Sequence, residues 1–256
     1  MHRPHRLPDW TFILALSAAS VAVIIGSAVM LGVSTDTLTA TAAMWDSPPP
    51  APIGEPDEAI DQSGVAAAAA DLDARVTHFL QDRRSSWRDM NVPEADGRAL
   101  YDLVVKNGYK QALEIGTSTG HSGTWTAWAL SKTGGRLITV DIDEGRYREA
   151  VANFKQAGLS TLIDARLADA HELVPSLPGP FDFVFIDADK DWYVNYAKAV
   201  LPKLKVGGCM AAHNVSASRG RRWAMGGDYY AFITSLPNME TTVVNGQLAI
   251  SYKRSQ

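Results

Sequence analysis

At 256 residues, with 46% hydrophobic and 20% charged side chains, the chain has enough apolar material for one sizeable buried core. A formal net charge of -4 leaves no basic excess, which argues against nucleic acid as a partner. Cys209 is the single cysteine, so neither an intrachain disulfide framework nor a cysteine-rich zinc site can form.

Residues 1–70 read as three pieces. Residues 1–10 form a basic segment carrying His2, Arg3, His5 and Arg6. Residues 11–33, from Thr11 to Val33, are uncharged and long enough to cross a bilayer as a helix. They are expected to act as a single-pass N-terminal membrane anchor, with the positive flank held in the cytoplasm. The small residues Ala40, Thr41 and Ala42 keep open the alternative of a cleaved signal and an exported chain. Residues 34–70 are rich in proline and alanine and poor in large apolar side chains, which is the composition of a linker.

Residues 71–256 are expected to form the functional domain. Leu72, Val76, Phe79 and Leu80 recur at helical spacing. Strand and helix signals then alternate: a strand from Ala112 to Ile115, a helix from His121 to Leu130, and a strand from Leu137 to Asp141. A charged helix from Glu144 to Ala157 precedes strands near Leu162 to Leu167 and Phe181 to Ile186. This alternation predicts an α/β fold with a doubly wound, Rossmann-like and mostly parallel sheet. Two β-rich runs, Thr241 to Val244 and Gln247 to Tyr252, flank Asn245-Gly246, a dipeptide suited to a type I′ turn. They predict a C-terminal antiparallel hairpin.

In open sheets of this kind, ligands sit beyond the carboxyl ends of the strands. The turn from Glu114 to Ser122 lies at such an end. Its glycines Gly116 and Gly120 permit close backbone approach, but their spacing is not G-x-G-x-x-G. Glu114 would repel a pyrophosphate and attract a cationic ligand group. Asp141, at the next strand end, could accept hydrogen bonds from both hydroxyls of a ribose.

The segments Met90 to Gly97, EIGTSTGHS, VDIDEGR, LADA, FVFIDADKDWY and GGCMAAHN together resemble the class I O-methyltransferases, which include catechol and caffeoyl-CoA O-methyltransferases. The resemblance runs from Asp89 to about Asn214. It implies S-adenosylmethionine as cofactor and the methyltransferase variant of the sheet, with an antiparallel strand near one edge. It places Glu114, Gly116, Thr117 and Ser122 at the cofactor's amino-acid end, with Ser118 and Gly120 in the same turn. Asp141 holds the ribose, Asp169 and Ala170 lie by the adenine, and Val92, Asp187 and Asp189 are further cofactor positions.

In that family the first Asp of a D-x-x-K strand end joins an Asp-Asn pair to bind a divalent cation. Asp187 and Asn214 match, while His213 stands where the middle carboxylate belongs, which leaves the metal open. Lys190 is the base that the resemblance favours, and His213 is the alternative if no metal binds. The implied acceptor is a small hydroxylated molecule, phenolic or catechol-like, and a homodimer is left open. Arg219, Arg221, Arg222 and Trp223 form a basic loop that could lie over the acceptor. Two other functions stay in view: a membrane-tethered module that binds the nucleoside without turnover, and an NAD-dependent oxidoreductase.

Overall fold

The computed structural model describes residues 62–87, 90–216 and 227–256. Helices α1 (Gln62–Asp82) and α2 (Glu94–Asn107) precede the first strand. An alternating series follows: β1 (Gln111–Ile115), α3 (His121–Thr133), β2 (Arg136–Asp141), α4 (Glu144–Ala157), β3 (Ile163–Leu167), α5 (Ala170–Ser176) and β4 (Phe181–Ile186). The chain closes with α6 (Tyr193–Val200), β5 (Leu204–Ala212), α7 (Gly227–Ser235), β6 (Met239–Val244) and β7 (Leu248–Lys253).

The strands form one seven-stranded sheet in the order β3-β2-β1-β4-β5-β7-β6. The first five are parallel, whereas β7 runs antiparallel to both β5 and β6. Strand order reverses between β1 and β4, the topological switch point where such sheets bind ligands. The expected hairpin is present, and its turn residues Asn245 and Gly246 have φ of +50° and +72°, as a type I′ turn requires.

Both faces of the central strands are covered, so they are apolar throughout rather than alternating. In β4, Phe183 and Phe185 pack toward α1, α2 and α3, while Val184 and Ile186 pack toward α5, α6 and α7. All four are fully buried, and each contributes about 1.5–3 kcal/mol by leaving water. Helix α1 is tied to this layer by its polar side chains. Arg75 donates to the Lys155 and Gln156 carbonyls at 3.0 and 2.9 Å, and Trp128 Nε1 donates to Asp73 at 2.6 Å. The helix begins at Gln62, inside the stretch read as linker, and runs through its alanine segment, since alanine is the strongest helix former.

The expected membrane placement is corrected. Among the described residues no helix is long and apolar enough to cross a membrane, and the run 11–33 lies outside the described residues. The basic loop from Arg219 to Trp223 and the candidate cleavage residues lie outside the described residues as well.

Candidate active site

The site grows from the turn after β1. Gly116 has φ of +97°, and a Cβ there would lie 2.3 Å from the Asp187 carbonyl oxygen, so only glycine lets the two strand ends close. The Gly116 and Thr117 amides donate to the Val140 carbonyl at 3.0 and 3.1 Å, and the Asp187 amide donates to the Ile115 carbonyl at 2.8 Å. These bonds lash β1, β2 and β4 together at their carboxyl ends. Ser118, with φ of +48°, donates its amide to Asp141 Oδ2 at 2.7 Å, and the Asp143 amide takes Asp141 Oδ1 at 2.9 Å. Asp141 is thereby aimed by backbone groups rather than left to swing.

Behind the turn lies a buried polar column. The Thr117 and Thr139 hydroxyls meet at 2.6 Å, and Thr139 donates to Glu114 Oε2 at 2.6 Å. Glu114 is fully buried, and its Oε1 has no hydrogen-bond partner among the described residues. Burial pushes its carboxyl up to about 7, against the lowering effect of Ser122 and Thr139 and with a further rise from the Asp187 and Asp141 charges. A buried, unsatisfied carboxylate oxygen costs free energy unless a ligand supplies the missing donor.

In front of the turn is a cleft of about 410 Å³. Among the residues expected to bind cofactor, Gly116, Ser118, Asp141, Asp169, Ala170, Asp187 and Asp189 line it. Asp169 also caps α5 by accepting the His171 amide at 2.8 Å. Glu114, Thr117 and Ser122 are buried behind the lining, and a Cβ on Gly120 would meet the Phe154 ring at 2.8 Å, a packing constraint. Val92 lies instead at a second cavity lined also by Trp87 and Trp125. Its carbonyl accepts from His121 Nδ1 at 2.9 Å, while Trp125 Nε1 donates to His121 Nε2 at 3.0 Å, so His121 is a satisfied structural residue.

Sequence reasoning missed half of the cleft's lining, including Met90, Ile142, Arg146, His171 and Tyr196. Ile142 is 70% exposed, which is unusual for isoleucine and marks an apolar wall awaiting a partner. His171 stacks on Trp192 at 3.7 Å, and Tyr196 donates to Asp189 at 2.7 Å. The helical spacing of Trp192 and Tyr196 after Asp189 was the available signal for this aromatic wall.

A charged cluster closes the end of the cleft at Asp187. Lys190 Nζ donates to Asp187 Oδ1 and to the Tyr193 hydroxyl, both at 2.7 Å. His213 lies between two carboxylates, with Nδ1 3.3 Å from Asp187 Oδ2 and Nε2 3.0 Å from Asp96 Oδ2. Asp96, only 1% exposed, also accepts from Asn245 Nδ2 at 2.7 Å and Gln247 Nε2 at 2.9 Å. Burial alone would lower the His213 pKa, but its hydrogen bonds and the charges of Asp187 and Asp96 carry it up to about 9. Burial raises both Asp96 and Asp187, yet in each case His213 and the other donors outweigh it and hold the carboxyl below its ordinary range.

A profile of the O-methyltransferase family matches residues 71–220. The chain belongs to this family. It is 35% identical over 133 residues to caffeoyl-CoA O-methyltransferase 1 of Eucalyptus globulus, a match covering 50% of this chain and 54% of that one. It is 40% identical over 130 residues to catechol O-methyltransferase of Niastella koreensis, covering 49% of this chain and 58% of that one. The chain thus spans about half the length of the curated relatives it matches. A crystal structure of an O-methyltransferase from Bacillus cereus, in complex with SAH, aligns with a TM-score of 0.59 at 25% identity. It covers 75% of this chain and 97% of that one. The seven-stranded sheet with antiparallel C-terminal strands is that of the methyltransferase fold. The oxidoreductase and inert-module alternatives find no support in these matches.

Set beside the family's pattern, the Asp187 end of the site does not fit a divalent cation. An ionised carboxylate only accepts, so a ring nitrogen facing one must donate. His213 faces a carboxylate on each side and has no lone pair left for a metal. Asp187 is engaged at both oxygens, by Lys190 and by His213, and Asn214 sits in the left-handed region with φ of +56°. Among the described residues no group of three His, Cys, Asp or Glu side chains could hold a metal ion. The ring read as the alternative base thus stands between Asp96 and Asp187, with a carboxylate facing each nitrogen.

Proposed function

We propose that residues 71–256, together with the start of α1, form an S-adenosylmethionine-dependent O-methyltransferase that acts on a hydroxyl of a small phenolic or catechol-like acceptor. The observation that carries this reading is the cleft at the β1/β4 switch point. It combines an aimed Asp141, an exposed Ile142 and, behind it, the unsatisfied Glu114 carboxylate. The phenolic acceptor is drawn from the relatives' names, caffeoyl-CoA and catechol O-methyltransferases.

When bound, S-adenosylmethionine supplies a methyl group already activated by its sulfonium. Asp141 accepts from the ribose hydroxyls, and Ile142 and Ala170 offer apolar contact to the adenine. Glu114 supplies the negative charge that an amino group and a sulfonium need in a site closed to water. The positive charge of Lys190 stands beside the place where the acceptor oxygen attacks and steadies the phenolate, while the acceptor's proton leaves to water. Asp187 and Tyr193 hold the Lys190 amine by two hydrogen bonds, which fixes its position.

Calorimetry with S-adenosylhomocysteine and with NAD tests the cofactor assignment. Saturable binding of the first alone is expected; binding of NAD alone would overturn the reading.

A further inference from the structure

The family's metal position falls on a part of this chain that is chemically complete without metal. Asp96 and Asp187 bring two negative charges, and His213 and Lys190 answer them with two positive ones. The set is neutral as it stands, so a dication would add uncompensated charge to a buried place. The arrangement is also built, not incidental. Asp96 sits in the first turn of α2, where the helix dipole favours a carboxylate. It is locked by Asn245 and Gln247 from the β6–β7 turn, so the hairpin, α2 and the end of β5 meet at the Asp96–His213 pair. Turning that ring out to ligate a metal would break both of its ion pairs and leave Asp96 without the one cation that faces it among the described residues.

We infer that in this chain the His213 ring, clamped between Asp96 and Asp187, and Lys190 take the place of the divalent cation, and that the site excludes a metal. This inference rests on the methyltransferase reading above. It assigns Asp96 as a positioning residue: it acts through His213, which fixes Asp187 and hence the Lys190 amine, without touching the acceptor.

The test is a titration of Mn²⁺ into the full chain, followed by water-proton relaxation, with S-adenosylhomocysteine binding measured by calorimetry on the same samples. The wild type is expected to bind S-adenosylhomocysteine and to show no saturable Mn²⁺ signal at millimolar metal. The variant His213→Asp should gain saturable Mn²⁺ binding, because the clamp becomes three carboxylates beside Asn214. Saturable Mn²⁺ binding to the wild type that is lost in Asp187→Asn would overturn the inference and leave the methyltransferase reading intact. A His213→Asp protein that binds the nucleoside but not Mn²⁺ would overturn the role given to His213. Failure of the wild type to bind S-adenosylhomocysteine would instead overturn the reading on which the inference rests.

Discussion

Replacing Asp96 by Asn removes one carboxylate from the His213 clamp while preserving its shape. The pKa of His213 is raised from 6.5 to about 9, which bounds its contribution to folding at about 3 kcal/mol. A raised histidine pKa stabilises the fold fully below the unfolded value, and the contribution is lost as pH climbs through the folded one. In the wild type it is therefore complete below pH 6.5 and gone above about 9. Asp96→Asn leaves Asp187 as the only charged partner of the ring among the described residues, so about 1.5–3 kcal/mol should be lost at pH 6 through the charged hydrogen bond. The mismatch between the new amide and the donors Asn245 and Gln247 adds a cost that does not depend on pH. Urea unfolding followed by tryptophan fluorescence at pH 6, 8 and 10 measures this directly. The gap between wild type and variant should narrow by about 1 kcal/mol or more between pH 6 and pH 10. A gap that stays constant across that range would refute the claim that His213 is held as a cation.

Three further outcomes follow from the cleft. Gly116→Ala would place a methyl 2.3 Å from the Asp187 carbonyl at a φ of +97°, so S-adenosylhomocysteine binding should be abolished and the melting temperature should fall. Asp141→Ala should weaken that binding by about 1.5–3 kcal/mol, seen by calorimetry, with little change in the fold. Glu114→Gln should act oppositely on fold and ligand. Because the carboxyl is raised from 4.5 to about 7, its burial stabilises the fold below pH 4.5 and costs stability as pH rises through 7. At pH 8 the glutamine variant should therefore unfold at higher urea than the wild type, yet bind S-adenosylmethionine more weakly. An unchanged affinity would remove Glu114 from the site.

What the sequence made legible was local. The alternation of β-rich and helical runs is a short-range pattern, and so are Asn245-Gly246 and the glycine turn, which all reappear in the structure. The family motifs marked Asp141, Asp169, Asp187 and Asp189 because each lies at or just beyond the carboxyl end of a strand, and such ends meet in space by topology alone. Asp96 could not be seen in this way. In sequence it is one acid within the Met90 to Gly97 segment, and its partners His213, Asn245 and Gln247 lie far along the chain. His213 was read by its intrinsic pKa, which suits a base. Only the placement of a carboxylate on each side of the ring shows it as a fixed donor. The start of α1 was hidden for a different reason: an alanine run lacks the apolar periodicity that announces a helix, although alanine favours one.

The central claim is that this cleft delivers a methyl group to a phenolic oxygen. Incubating the protein with methyl-labelled S-adenosylmethionine and a set of catechols and simple phenols, then following products by mass spectrometry, tests it most directly. The account predicts a labelled methyl ether on at least one acceptor, formed one-for-one with S-adenosylhomocysteine and lost in Asp141→Ala. Cofactor that binds but is never converted to S-adenosylhomocysteine with any hydroxylated acceptor would contradict it.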